Sequence, residues 1–592
     1  MKKVFVLSAI TVTCLPAHAE VFQLGQIEVV ANQKNEISVV QIEAVQLQQN
    51  NALNLSDIGK FTPGVSVERS GMRNEMKLRV RGFDSLRVPV YIDGIPVYVP
   101  YDGNMDLARF TTFDLARIDV SKGASSVLYG ANTLGGAINL ISSKPSKAFE
   151  GVIGYGYSKG RDADTATNQT YFSLGTKQEF FYAQLSGSWV EQQGLQLSRK
   201  FQPSATAQTI GEDGGRAENS VQRDKKLSLK VAFTPNATDE YALVLSTQRG
   251  LREQPLYTGE RLTNQTRRYW RWPAWDKDSV YFLSHTQFNS HNMYLNTKVF
   301  HDTFKNDLEL FGNTDRTFSS PPNKSHYRDY SYGAGLEFGG DISEADSLKL
   351  SVTYKYDVHR EQNDNYNAKT RLYQADPWAV DKDRTWSFGL ENTYKFAEQT
   401  KLIAGVSYDH RKALRAENYQ QLSKNKNDKG IYQFDVGSQH AFNYQVKLAH
   451  SFDQNDELTL GFAKTSRLPT MKDRYSRRFG RNIENPYLKA EKATHYELGY
   501  WRTFADSVKL EGALFYSEVR DAIESIVVSR SGKDTLEQNQ NYGKEVFKGV
   551  ELGATWFAND SLTLGANYTY IDRKSTRLNS SHRLQSRMPS SA

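Results

Sequence analysis

The 592 residues predict a mainly β protein: a large antiparallel transmembrane β-barrel preceded by a small folded α/β domain. Beyond Gly151 the sequence alternates. Leu348, Leu350, Val352, Tyr354 and Tyr356 interleave with Lys349, Ser351, Thr353 and Lys355, and Leu562, Leu564, Ala566, Tyr568 and Tyr570 interleave with Thr563, Gly565, Asn567 and Thr569. Each such strand has one apolar and one polar face. A second regularity is carried by Phe233, Phe288, Phe338, Phe396, Phe452, Phe504 and Phe557, which end alternating segments at intervals of 50 to 58 residues, each followed by a short polar turn. Short turns alternating with long polar loops, with aromatic residues at the rim, describe an outer-membrane-type barrel and not a soluble sandwich, whose turns come every ~8–12 residues at both ends. Third, residues 78–85, 90–97 and 110–139 ahead of this region are compact strand-and-turn units with Asp-Gly and Gly-Gly turns.

Composition agrees. Mean hydropathy is −0.62, and no apolar run approaches the ~20 residues of a membrane helix. A barrel escapes that test because only alternate residues face lipid, and 33 Tyr and 30 Phe favour it. The formal charge of +7 dissolves on inspection: Lys2 and Lys3 lie in the N-terminal segment, and Arg573, Lys574, Arg577, Arg583 and Arg587 in the C-terminal tail, leaving the remainder neutral. No attraction to nucleic acid is implied. The single cysteine, Cys14, excludes disulfide frameworks and thiolate metal sites from the mature chain.

Residues 1–19, with two lysines, a short apolar core and an Ala-His-Ala ending, read as a cleaved secretory signal. A polar leader, 20–36, follows and contains one extended β-prone segment: Ile27, Glu28, Val29, Val30 and Ala31. Residues 37–149 form the small domain, with a mildly helical pattern over 39–55. Arg81-Gly82-Phe83, Asp93-Gly94, Ile118-Asp119-Val120 with Lys122-Gly123, Tyr129-Gly130 and Gly135-Gly136-Ala137-Ile138-Asn139 follow in order. This series resembles the plug of the TonB-dependent outer-membrane receptors, and the resemblance extends over residues 25–571 through 466–470, 485–488, 491–499, 541–543 and 549–551. It implies that the small domain sits inside the barrel, that 27–31 is the TonB box, which pairs by strand addition with the periplasmic energiser, and that the protein imports a scarce nutrient without catalysis or cofactor. A leader this short leaves no room for a signalling domain. The implied partners are TonB, a metal-chelate ligand, and the outer membrane with its lipopolysaccharide; a monomer is expected.

The short turns count out seventeen strands over 150–571, against twenty-two in the family the chain resembles. The barrel is therefore expected to be truncated, with an opening between its first and last strands. Residues 572–592 lack alternation; 572–582 resemble a translated sequencing adapter, and the tail from Arg573 is expected to be non-native and unpaired.

Ligand selection belongs to the outer loops. Arg267, Arg268, Tyr269, Trp270, Arg271 and Trp272 interleave guanidinium groups with aromatic faces, suited to anionic or aromatic ligands such as ferric siderophores. Arg474, Arg477 and Arg478 form a second basic cluster. Lipopolysaccharide phosphates are an equal alternative for both. Haem is disfavoured because no histidine lies between Pro469 and Asn485. Copper through Met72 and Met76, with Met105 later, and cobalamin remain open, as does a passive porin or adhesin, which would need neither box nor plug. Phosphate-cradling loops, zinc helices and nucleophile elbows are absent from the sequence.

Overall fold

The computed structural model describes residues 20–26, 39–70, 75–124, 126–160, 164–205, 208, 211–258, 269–288, 292–311, 321–423, 425, 428–477, 481–505, 507–531, 534–559 and 562–577. The expected TonB box, Met72, Arg267, Arg268, Arg478 and the tail from 578 lie outside them.

The N-terminal domain is built on a mixed sheet in which Val39–Glu43, Leu115–Lys122, Gly136–Lys144, Val90–Ile92 and Ile95–Val97 lie side by side. The segment 39–55 is less helical than its pattern predicts. Its β-branched start, Val39, Val40 and Ile42, pairs antiparallel with Arg117–Ser121. The helix is confined to Ala44–Gln49, where Glu43 and Gln46 form a capping box. A 3₁₀ turn, Leu55–Lys60, follows under an equivalent Asn54–Asp57 box. The described start of the leader is anchored: Glu20–Val21 pairs with Ser143 and Lys144, and Phe22 is buried among Tyr182, Ala232, Ala242, Tyr281 and Phe300 of the wall.

Around this domain runs the wall. Its strands are Glu150–Lys159, Ala166–Lys177, Phe181–Gln192, Gln222–Phe233, Glu240–Glu253, Tyr269–Gln287, Tyr294–Phe311, Asn323–Asp341, Asp346–Asn367, Ala379–Ala397, Thr400–Arg415, Ser438–His450, Asp456–Arg467, Glu491–Phe504, Val508–Ser531, Asp534–Asn559 and Leu562–Arg577. These are the seventeen strands of the sequence count; two short pieces, Leu372–Ala375 and Asn482–Ile483, add to the outer rim. Consecutive wall strands pair antiparallel. The seven rim phenylalanines are all exposed, as lipid-facing residues of a barrel must be.

The strand order is that of a barrel, and one expectation, the end of its last strand, is corrected. The seam between the first and last strands is the barrel's weak point. With an odd number of antiparallel strands both run in the same direction, and no residue register joins them among the described residues. The last strand also runs beyond Ile571: Arg573–Arg577 pairs with Phe547–Gly543, because the long preceding strand offers backbone partners there. Arg573 stacks over Phe547 at 5.3 Å and donates to Glu545 at 3.3 Å.

Candidate functional site

The N-terminal domain fills the lumen, and its junction with the wall is where charge is concentrated. After Val80 the chain turns sharply. Arg81 has φ of 48° and its N–H donates to the Gly64 carbonyl at 2.7 Å, which aims the side chain at the wall. Its guanidinium grips the Glu551 carboxylate through two parallel bonds of 3.0 and 3.1 Å, reaches Glu497 as well, and lies 4.5 Å over the Phe515 ring. Lys122 donates to the other side of Glu551 at 2.7 Å and to the Pro63 carbonyl at 3.2 Å. Six residues beyond Arg81, Arg87 bonds Glu491 at 2.9 Å and Glu545 at 2.9 Å, and Arg467 holds Glu491 from the wall side at 2.6 Å.

Arg81, Lys122 and Glu551 are each 2 % exposed or less. Burial works against the Arg81 charge, but Glu497 and Glu551 overcome it and hold the guanidinium above its ordinary pKa. For Lys122 burial prevails over Glu551 and lowers it. Bidentate geometry and multiple donors are what make such a buried cluster tolerable. A second set lies across the lumen: Arg109 with Asp224 at 2.9 Å, Lys226 with Asp114 at 2.7 Å, Lys144 with Glu240 at 3.1 Å, and Arg252 with Asp106.

The glycine-rich units shape the domain to fit. Asp93 and Gly94, at φ of 50° and 71°, make the turn, and the Asp93 carboxylate accepts the Ser142 N–H at 2.9 Å. Gly82, Gly123, Gly130 and Gly136 all have positive φ. At Gly136 a Cβ would stand 2.2 Å from the Ser121 carbonyl, and at Gly135 2.5 Å from the Phe83 ring. Tyr129 packs on Tyr91 at 4.9 Å and its carbonyl accepts the Tyr91 hydroxyl. Of the sequence-predicted domain residues, Arg81 bonds the wall directly, and Gly82, Gly123 and Gly130 lie against Phe547, Glu497 and Ser387 of the wall. Arg87, Lys122, Glu491, Glu497, Glu545 and Glu551 were not singled out from sequence as site residues.

Small cavities remain between domain and wall, two of them deep in the junction. One, of about 60 Å³, lies among Asp93, Arg109, Asp114, Lys226, Lys230 and Lys277; the other, of about 40 Å³, among Tyr98, Met105, Asp357, Asp383, Arg411 and Thr470. At ~30 Å³ per water they hold a few waters and fall far below the ~300–1,000 Å³ of an ordinary ligand pocket.

The outer aromatic and basic candidates are already engaged. Trp272 packs with Trp275 and Phe304 against Val99, with Trp270, Tyr101 and Met105 around them. Tyr269 is buried with Leu256 and Phe311. Arg271 pairs with Glu309 at 2.5 Å, and Arg477 with Glu484 at 3.3 Å. Arg474 sits on the helix Met471–Tyr475, capped by Thr470 and Asp473, fully buried against Asp383. Met105 packs into apolar clusters, and Met76 is half-buried in the hairpin Val65–Ser70/Glu75–Val80. Among the described residues no group of three or more His, Cys, Asp or Glu is placed to hold a metal ion.

With this geometry in hand, comparison with known proteins is direct. Residues 31–137 match the TonB-dependent Receptor Plug Domain and residues 222–590 the TonB dependent receptor-like β-barrel. Similar solved structures include the copper transporter OprC (TM-score 0.74, 16 % identity, covering 92 % of this chain and 82 % of that one). The siderophore receptor PirA from Acinetobacter baumannii is similar at TM-score 0.69 (16 % identity, 91 % and 80 % covered). The ferripyoverdine receptor of Pseudomonas aeruginosa is similar at TM-score 0.70 (13 % identity, 95 % and 74 % covered). A plug locked in the lumen of a lipid-facing barrel, matched by both family profiles, places this chain among the TonB-dependent receptors, transport proteins of the bacterial outer membrane and not enzymes.

Proposed function

We propose that the protein imports a scarce chelated nutrient, a ferric siderophore, by TonB-driven displacement of its plug. The observation that carries this reading is the plug seated in the lumen by buried ion pairs: the voids described beside it, of about 60 Å³ or less, admit water but no chelate, so passage requires the plug to move. Moving it breaks buried ion pairs, each worth several kcal/mol when one partner is stranded, and tight ligand capture adds ~12 kcal/mol to be undone at nanomolar affinity. That work has to come from the inner membrane, and residues 27–31 are the segment suited to receive it. Met105, spent on apolar packing, leaves an iron chelate favoured over copper.

The test is uptake by cells lacking their own receptors, given labelled ferric siderophores, cobalamin, haem and copper one at a time. Receptor-dependent accumulation of iron from a ferric siderophore is expected. Accumulation confined to cobalamin, haem or copper would overturn the substrate.

A further inference from the structure

Resting on the chelate-import reading, we propose that a recess at the outer ends of the ninth to eleventh wall strands receives a protonated amine carried by the chelate. The recess, of about 40 Å³, is bounded by Tyr101 of the plug, His359 and Glu361 of the strand Asp346–Asn367, Asp376, Asp381 of the strand Ala379–Ala397, and Tyr475 of the loop helix. Its size suits the ammonium head of an alkyl arm and excludes a whole chelate.

Three observations converge on a cationic occupant. Among the described residues no lysine or arginine lies within ion-pair distance of Glu361, Asp376 or Asp381, whereas nearby Glu417 and Arg477 are neutralised by Arg415 at 2.6 Å and Glu484 at 3.3 Å. His359, stacked on Tyr101 at 4.3 Å, uses Nδ1 on Asp329 at 2.8 Å, and its Nε2 stands 3.8 Å from Glu361 without a hydrogen bond although the residue is 3 % exposed. The Tyr475 hydroxyl, also on a residue 3 % exposed, is likewise without one. Buried polar groups of this kind call for a partner, and here both border one recess. Even a protonated His359 leaves carboxylates in excess, so the recess favours a positive head. An ammonium would donate to the carboxylates and lie by the tyrosine faces, with the two orphaned atoms left for oxygen or nitrogen atoms of the arm. A bare metal ion is a poorer occupant, since the described residues offer no three-ligand geometry.

The probe is the ferric trihydroxamate ferrioxamine B, which carries one free ammonium, against its N-acetyl derivative, which lacks only that charge. Binding is measured on the full chain in outer membranes. The ammonium form is expected to bind about tenfold tighter, the worth of one charge-assisted hydrogen bond. The double variant Glu361→Gln/Asp376→Asn is expected to erase that preference, and an unchanged heat-modifiable gel mobility reports that the variant is folded. Equal affinities, preference for the acetylated form, a preference that survives the double variant, or no binding of ferrioxamine B would each overturn the proposal. Receptor-dependent ferric uptake without any charge preference would sink this proposal alone; absence of uptake of every ferric chelate would sink the import reading beneath it.

Discussion

Glu551→Ala is expected to loosen the seated plug by about 3–5 kcal/mol, the cost of leaving buried charge without its partner. Glu551 is the shared acceptor of Arg81 and Lys122, and neither cation is open to water. Glu497 and the Lys122 carbonyl would remain for Arg81. Hydrogen exchange of the plug strands reads this as faster opening, and outer membranes carrying the variant should leak bulky antibiotics that the intact receptor excludes. Adding Lys122→Met removes one of the stranded charges and should recover part of the loss. A Glu551→Ala protein with wild-type exchange and no leak would show that the cluster does not hold the plug.

A second large effect is expected from one methyl group. Gly135→Ala places a Cβ 2.5 Å from the Phe83 ring, which is itself stacked on Phe547 of the wall at 4.3 Å. The ring cannot retreat without opening the junction, so a loss of about 1–3 kcal/mol follows from overpacking. Phe83→Ala alone should cost about 3–5 kcal/mol. Because the two changes compete for one volume, the double variant should be less damaged than their sum by about 1 kcal/mol or more; strict additivity would contradict the contact. Denaturant unfolding of the four proteins measures the cycle.

The wall was legible because lipid imposes a repeating demand. Every lipid-facing position must be apolar and every short turn polar, so the phenylalanines before those turns announced both the rim and the number of strands. The junction was not legible. Glu491, Glu497, Glu545 and Glu551 occupy lumen-side positions where any polar residue satisfies the alternation, and their partners on the plug lie more than 400 residues away in the chain. One signal was available: Arg81, Arg87 and Lys122 are long cations within a segment otherwise rich in core-forming valine, isoleucine and glycine, and such cations need carboxylates. Arg474 shows the reverse problem. Beside Arg477 and Arg478 it reads as part of an exposed basic cluster, yet Thr470 and Asp473, three apart, form a capping box that turns a short helix and carries Arg474 inward to Asp383. The β-branched residues at Val39 and Val40 likewise outweighed a weak helical periodicity once a neighbouring strand was there to pair with.

The most direct test of energised import through a displaced plug is deletion of residues 27–31, with ligand binding and uptake measured on the same cells. Binding at the outer face should be unchanged, since the recess and the aromatic cluster lie on the outer side, while accumulation of the labelled chelate should fall to the level of cells lacking the receptor. Uptake that continues at the intact rate after the deletion would contradict the account and return the protein to a passive barrel.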